Sequence, residues 1–304
     1  MITSIANQRM KRLAQLQERG KLRNKEGVFV AEGLKMFKEA PPEYLQEVYV
    51  KESLWKQMYE VGQRAKDSGK NTGNFVGTVV NKDGMRLADI CKKLEICEKK
   101  GILVETVADD VFKKVADTQT PQGILFVTKQ PDYSLDSLIA RTVKRREEGG
   151  RLPLFLLLED IQDPGNLGTM LRTAEGAGVD AVIMSKGTVD IYNPKTIRST
   201  MGSLYRVPFV YTEDLINAVK KLQQNNIPVY AAHLAGEKYF DEIEYEGGSG
   251  FLIGNEGNGL KKETADSADV YLRIPMEGKL ESLNAGIAAA LLMYRAAGYA
   301  RKKK

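Results

Sequence analysis

The residues of this chain whose types and spacing suggest chemistry fall into three short stretches. In "IQDPGNLGTMLRTAEGAGV", residues 161–179, Asn166 stands at the entry of an expected helix and Arg172 follows six positions later. At 3.6 residues per turn the two can face the same side. In "NEGNGL", residues 255–260, Glu256 sits among glycines, and in "RIPMEGKLESLNAG" Ser282 and Asn284 stand just ahead of another expected helix. These are hydrogen-bonding and charge-stabilising groups. A Ser-His-Asp or Cys-His constellation finds no support, because the one histidine, His233, lies in the apolar context "VYAAHLAG" and reads as a strand-end residue without a catalytic role. Cys91 and Cys97 with a single histidine cannot complete a four-ligand zinc site, so both cysteines read as reduced and structural and no metal is expected.

Two glycines at a strand-to-helix junction first suggest a phosphate cradle. A P-loop requires G-x-x-x-x-G-K-[ST], and "GNLGT" has neither the length nor the lysine. A dinucleotide fingerprint requires G-x-G-x-x-G, whereas the glycines here stand at 165, 168, 176 and 178. Both readings fail on spacing. Gly178 is explained as a helix C-terminal stop, which leaves Asn166 and Arg172 without a structural reason.

The elements that must position these groups follow from periodicity. From Leu152 onward, "LPLFLLLED", "DAVIMS", "VPFVY", "IPVYAA", "GFLIGNE" and "VYLRIP" are apolar runs of strand length separated mostly by helical patterns, notably Glu213–Gln224 and Ser282–Ala297. Strands that are apolar throughout are buried on both faces, which predicts a parallel sheet covered by helices. Such a sheet binds ligands beyond the carboxyl ends of its strands, where the polar stretches above lie. Upstream, a basic amphipathic helix over Ser4–Arg19 carries Arg9, Lys11 and Arg12. "GVFVAEG" reads as a strand, "LKMFKEAPP" as a helix stopped by its prolines, and "LQEVYV", a helix around 53–68, "FVGTVV", "ILVETV" and "GILFVTK" continue the alternation. This organisation predicts a small α/β domain over 1–129, a polar linker over 130–150 containing "TVKRREEGGR", and a second α/β domain over 151–304.

The chain has 304 residues, 42% of them hydrophobic and 28% charged. No apolar stretch approaches the roughly 20 residues that span a bilayer, and the opening residues lack a secretory signal pattern, so a cytoplasmic location is expected. The formal charge of +5 is concentrated in the first 129 residues, while 151–304 is close to neutral. A basic front half on a neutral back half predicts a polyanion-binding module joined to a second activity.

"DPGNLGTMLRTAEGAGV", "FLIGNEGNGL" and "IPMEGKLESLNAGIAAALLMYR" resemble, in order and separation, the three motifs of the SpoU/TrmH family of RNA ribose 2′-O-methyltransferases. The resemblance covers most of 151–297. The stretch "SIANQRMKRLAQLQERGKLRNKEGVFVAEG" is more loosely similar to the family's substrate-binding extension, an α/β module related to ribosomal RNA-binding proteins. One departure is Asn284-Ala285-Gly286, where many relatives have Asn-Val-Ser, so no hydroxyl stands at Gly286.

The resemblance implies a mostly parallel sheet with a deep trefoil knot, the fold of the SPOUT superfamily, and S-adenosylmethionine as cofactor. It implies that Gly254, Ile274, Met276, Leu283, Asn284 and Gly286 hold the cofactor, with Gly254 and Gly278 letting backbone pass close by. It also implies that Arg172, Asn166, Glu256, Ser282 and Asn284 serve catalysis, Arg172 stabilising an alkoxide and Ser282 capping the last helix. Arg9, Lys11, Arg12 and Arg23 are the implied RNA contacts, with ribosomal RNA favoured as substrate and a homodimer as the assembly. A transfer-RNA methylase, an antibiotic-resistance methylase and an inactive ribosome-assembly factor are the competing readings.

Overall fold

The computed structural model describes residues 1–58 and 87–302, which divide into two compact units: Met1–Pro131 with Tyr192–Tyr205, and Asp132–Ile191 with Arg206–Lys304. The expected strand "FVGTVV" and the later part of the helix expected at 53–68 lie outside the described residues.

The first unit begins with α1 (Gln8–Glu18), whose Met10, Leu13 and Leu16 form the buried stripe that its periodicity predicts. Asn7 caps it, accepting a hydrogen bond from the Arg9 N–H at 2.9 Å. Next come α2 (Gly20–Glu26), β1 (Val28–Glu32), α3 (Leu34–Glu39), β2 (Leu45–Lys51), α4 (Leu87–Lys99), β3 (Leu103–Val107), α5 (Asp109–Val115) and β4 (Ile124–Lys129). Residues 52–58 are also helical. The sheet order is β1-β4-β2-β3; β4 runs antiparallel to both neighbours, and β2 runs parallel to β3. The α1 stripe packs with Val28, Val30, Tyr49, Phe112 and Val127 in one core. Each large apolar side chain buried there contributes about 1.5–3 kcal/mol.

Two features of the division between the units depart from the sequence reading. Residues Tyr192–Tyr205, numbered within the expected second domain, group with the first unit. Tyr192 stacks on Phe29 with ring centroids 4.6 Å apart, and Arg198 forms an ion pair with Asp117. The stretch 130–150, expected as a linker, is instead largely helix: α6 (Leu135–Glu147) buries Leu138 and Ile139 in the core of the second unit. Its apolar residues at helical spacing are sparse among charged ones, and the charge masked them.

The second unit continues with β5 (Leu154–Leu158), α7 (Pro164–Ala177), β6 (Ala181–Ser185), β7 (Phe209–Thr212), α8 (Leu215–Gln224), β8 (Val229–Ala232), β9 (Lys238–Tyr239), β10 (Ser249–Ile253), α9 (Lys262–Asp266), β11 (Val270–Arg273) and α10 (Ala285–Lys302). Its sheet has the order β7-β6-β5-β10-β8-β11-β9, and every pair is parallel. The central strands β5 and β10 are buried at every position, as continuous apolar runs require. From β5 the chain steps outward through β6 and β7. It then crosses to build β8 and the strands beyond β10. Successive connections therefore diverge at the β5/β10 junction, and the loops after those two strands border the resulting crevice.

Candidate active site

The loop after β5 delivers α7. Asp163 caps this helix, its Oδ1 accepting from the Asn166 N–H at 2.8 Å, and Pro164 occupies the first turn. At the other end Gly178 adopts φ 77° and its N–H returns to the Ala174 and Glu175 carbonyls, so the helix stops where the glycine predicts. Asn166 thus stands at the mouth of the crevice, half-buried, while Arg172 lies on the exposed face of α7.

The loop after β10 supplies the partner. Asn255 and Gly259 exchange backbone hydrogen bonds, closing a tight turn that presents Glu256. The Glu256 carboxylate accepts from the Gln162 N–H at 2.9 Å, the Asp163 N–H at 3.1 Å and the Asn166 Nδ2 at 3.0 Å. Partial burial works against its charge, but these hydrogen bonds outweigh it and hold the carboxyl below its ordinary value. Glu256 is therefore a clamp on the loop that carries Asn166.

The third contribution comes from the entry of α10. Asn284 Nδ2 donates to Asn166 Oδ1 at 3.0 Å, while Asn284 Oδ1 accepts from the Gly286 N–H at 2.9 Å. Asn284 is therefore the cap of α10. Ser282 was the expected cap, but the helix begins at Ala285, three residues later than the periodicity suggested, and Ser282 remains exposed on the preceding loop. Gly286 is buried beneath the cap: a Cβ there would press on Asn284 Oδ1 at 3.1 Å.

Beside this network lies a cavity of about 360 Å³, within the size range of small-molecule sites. Gly254, Ile274, Met276 and Leu283 line it, together with Glu256 and Ser282; Asn284 and Gly286 do not. The lining combines apolar side chains such as Ile274, Met276 and Leu283 with the Gly254–Gly259 turn, a composition that fits a nucleoside base and a short aliphatic chain. Gly254 is required by close approach, because a Cβ would overlap the Gly259 carbonyl and the Leu260 nitrogen. The same role expected for Gly278 is not met: open space surrounds that position. His233 also lines the cavity, its Nδ1 accepting from the Ala235 N–H at 3.1 Å and its ring lying 4.7 Å from Tyr271.

Among the basic residues expected to meet RNA, Arg9 and Lys11 are exposed, and Arg12 is engaged with Glu26 at 2.6 Å and Glu47 at 2.8 Å. Arg23 corrects the expectation. It is buried, and its guanidinium donates to the Leu16 and Gln17 carbonyls at 2.6 and 2.8 Å, satisfying the end of α1. Gln162, Asp163 and Asn255 were not among the candidate site residues. Asp163 was readable as a helix cap before proline, whereas the partners of Gln162 and Asn255 arise only from the tertiary approach of two loops. Among the described residues no His, Cys, Asp and Glu cluster could hold a metal ion, and no helix is long and apolar enough to cross a membrane.

A parallel sheet with a crevice bounded by these two loops and the α10 entry is the ligand-binding arrangement of an open α/β protein. Residues 153–294 match the SpoU rRNA Methylase family, and residues 7–125 match the MRM3-like substrate binding domain. The chain is 33% identical over 252 residues to the 23S rRNA (guanosine(2553)-2'-O)-methyltransferase RlmP of Bacillus subtilis, covering 80% of this chain and 94% of that protein. It therefore belongs to the SpoU rRNA methylase family. An AdoMet-bound rRNA methyltransferase from Sinorhizobium meliloti superposes with a TM-score of 0.75 at 25% identity, covering 98% of this chain and 97% of the other. The SpoU methyltransferase AviRb of Streptomyces viridochromogenes shares the fold, with a TM-score of 0.73 at 20% identity over 98% of this chain and 99% of that one.

Proposed function

We propose that this protein transfers a methyl group from S-adenosylmethionine to a ribose 2′-hydroxyl of ribosomal RNA. The observation that carries the reading is the Glu256–Asn166–Asn284 network set against the 360 Å³ cavity at the β5/β10 crevice. The relative RlmP is named for this reaction on 23S rRNA, and the Sinorhizobium relative binds AdoMet.

The cofactor, when bound, supplies an electrophilic methyl on a sulfonium, and the chain's residues meet the remaining demands. Gly254, Ile274, Met276 and Leu283 hold it; Asn284 and Gly286, which do not line the cavity, set the entry of α10 beside it. A secondary hydroxyl is a very weak acid, so the developing oxyanion needs a positive or hydrogen-bonding partner. Arg172 serves that purpose as a fixed cation: a guanidinium stays protonated and has no lone pair to accept the proton, which passes to solvent or phosphate. Asn166, its amide fixed by Glu256 and Asn284, orients the ribose and its phosphate, and exposed Ser282 contacts the RNA. Arg9 and Lys11 contact the RNA backbone.

The protein acts in the cytoplasm as a homodimer with the knotted chain path of its family. The exposed Ile287, Leu291 and Tyr294, 52%, 38% and 47% accessible, line one face of α10 and suit a second copy. Transfer of labelled methyl from S-adenosylmethionine to ribosomal RNA, with ribose methylation mapped in strains with and without the gene, tests the reaction. Arg172→Ala should lower turnover by about 100-fold or more with the fold intact. Cofactor binding without any transfer would favour an inactive assembly factor, and methylation confined to transfer RNA would overturn the substrate.

A further inference from the structure

Asp160, the second residue after β5, adopts φ 53°, a left-handed conformation that is uncommon outside glycine, asparagine and aspartate. Its surroundings come from three loops. Its N–H donates to Ser185 Oγ at 2.8 Å, and that hydroxyl donates back to Asp160 Oδ1 at 2.7 Å. Its carbonyl accepts from Asn255 Nδ2 at 2.8 Å and from Gln162 Nε2 at 3.0 Å. Its Oδ2 pairs with Lys261 Nζ at 2.8 Å. Gly187 makes room, because a Cβ there would overlap the Asp160 carboxylate.

The residues joined by these bonds define a purpose. The stretch Gly254–Leu260 lines the cofactor cavity, and it is pinned at one end by Asn255 on the Asp160 carbonyl and at the other by Lys261 on the Asp160 carboxylate. Glu159 reinforces the far end, accepting from the Lys261 N–H at 2.7 Å and the Thr264 hydroxyl at 2.5 Å. Glu256, between the two pins, holds the Asn166 loop. We propose that Asp160 is a positioning residue for the cofactor: its bridge to Lys261 fixes the cavity-lining loop against the loop that bears Asn166. The carboxylate, and not the backbone alone, explains why this left-handed position is occupied by aspartate. Glycine would adopt the same backbone with less strain but would leave Lys261 without this partner.

The inference rests on the cofactor reading above, and calorimetric titration of the full chain with S-adenosylmethionine tests it. Asp160→Asn retains the size and the left-handed tolerance of aspartate, so folding is preserved. The variant should bind the cofactor about fivefold more weakly, the scale of a half-exposed ion pair, with RNA affinity unchanged. Asp160→Gly should show the same weakening with an unchanged or higher Tm. Lys261→Met should match it, and the double variant Asp160→Asn/Lys261→Met should be no weaker than either single one. The gap between wild type and variant should close in 1 M salt, where the pair is screened. Equal affinity in Asp160→Asn and wild type, independent additive effects of the two substitutions, or a parallel loss of RNA affinity would each overturn the role. Wild-type protein that failed to bind the cofactor would overturn the cofactor reading itself and the inference with it.

Discussion

Asn284 and Asn166, 118 residues apart in the chain, meet through a 3.0 Å hydrogen bond whose direction is fixed from both ends. The Glu256 carboxylate only accepts, so the Asn166 amide must turn its Nδ2 toward it and its Oδ1 toward Asn284. Asn284 in turn must present Oδ1 to the Gly286 N–H, which leaves its Nδ2 for Asn166. Neither amide can flip without losing a partner. Asn166→Ala should therefore reduce turnover by about 10- to 100-fold, equivalent to one hydrogen bond to a charged partner, with cofactor affinity unchanged. Asn284→Ala should do the same and lower stability by about 1 kcal/mol through loss of the cap. Steady-state kinetics and denaturant midpoints measure both effects.

Glu256→Gln probes the clamp through pH. The carboxyl is held below 4.5 in the fold, so its contribution to stability is present above the unfolded value and is lost as pH falls through the folded one. Wild type should be more stable than the Gln variant at pH 6, and the difference should shrink as the pH falls below the ordinary carboxylate range and through the lowered folded value. Urea unfolding across this range would contradict the clamp if the difference stayed constant.

Gly254→Ala and Gly278→Ala form a matched pair. The added methyl at 254 meets backbone that cannot yield, so cofactor binding should be abolished or weakened by at least about 10-fold, in line with the cost of overpacking. At 278 it meets open space, and stability should change by less than about 0.5 kcal/mol. Equal behaviour of the two variants would remove the case for close approach at 254.

Arg23 and Arg9 should separate by kind of defect. Arg23→Ala leaves the Leu16 and Gln17 carbonyls without their guanidinium donor and should cost about 1–3 kcal/mol of stability. Arg9→Ala and Lys11→Ala should leave stability unchanged and weaken RNA binding, each reducing the salt dependence of log K by about one unit. Salt-dependent RNA titrations alongside thermal melts distinguish these outcomes.

The parallel sheet was legible because β5 is apolar at every position and β10 carries the apolar run Phe251–Ile253, and the mouths of α7 and α10 were legible because Asn166 and Asn284 stand where helices begin. The start of α10 was misplaced by three residues, since Ser282 and Asn284 are both capable caps and only the hydrogen bonds to Gly286 and Ile287 decide between them. The burial of Arg23 and the role of Asp160 were not readable. Arg23 is buried because the turn between α1 and α2 folds it back on the Leu16 and Gln17 carbonyls, and Asp160 acts through groups that only the approach of separate loops brings near.

Tyr192–Tyr205 carries a consequence for any attempt to divide the chain. Ile197 and Leu204 are almost wholly buried and Tyr192 stacks on Phe29, so this excursion belongs to the N-terminal core although 60 or more residues of the C-terminal unit precede it. A truncation that starts near residue 150 would strip these side chains of their cover and leave them exposed to water. A chimera that exchanges only the first 130 residues would ask a foreign surface to accommodate Tyr192 and Arg198. The workable module boundary is a pair of cuts, with the excursion travelling alongside the N-terminal segment whose sheet it covers.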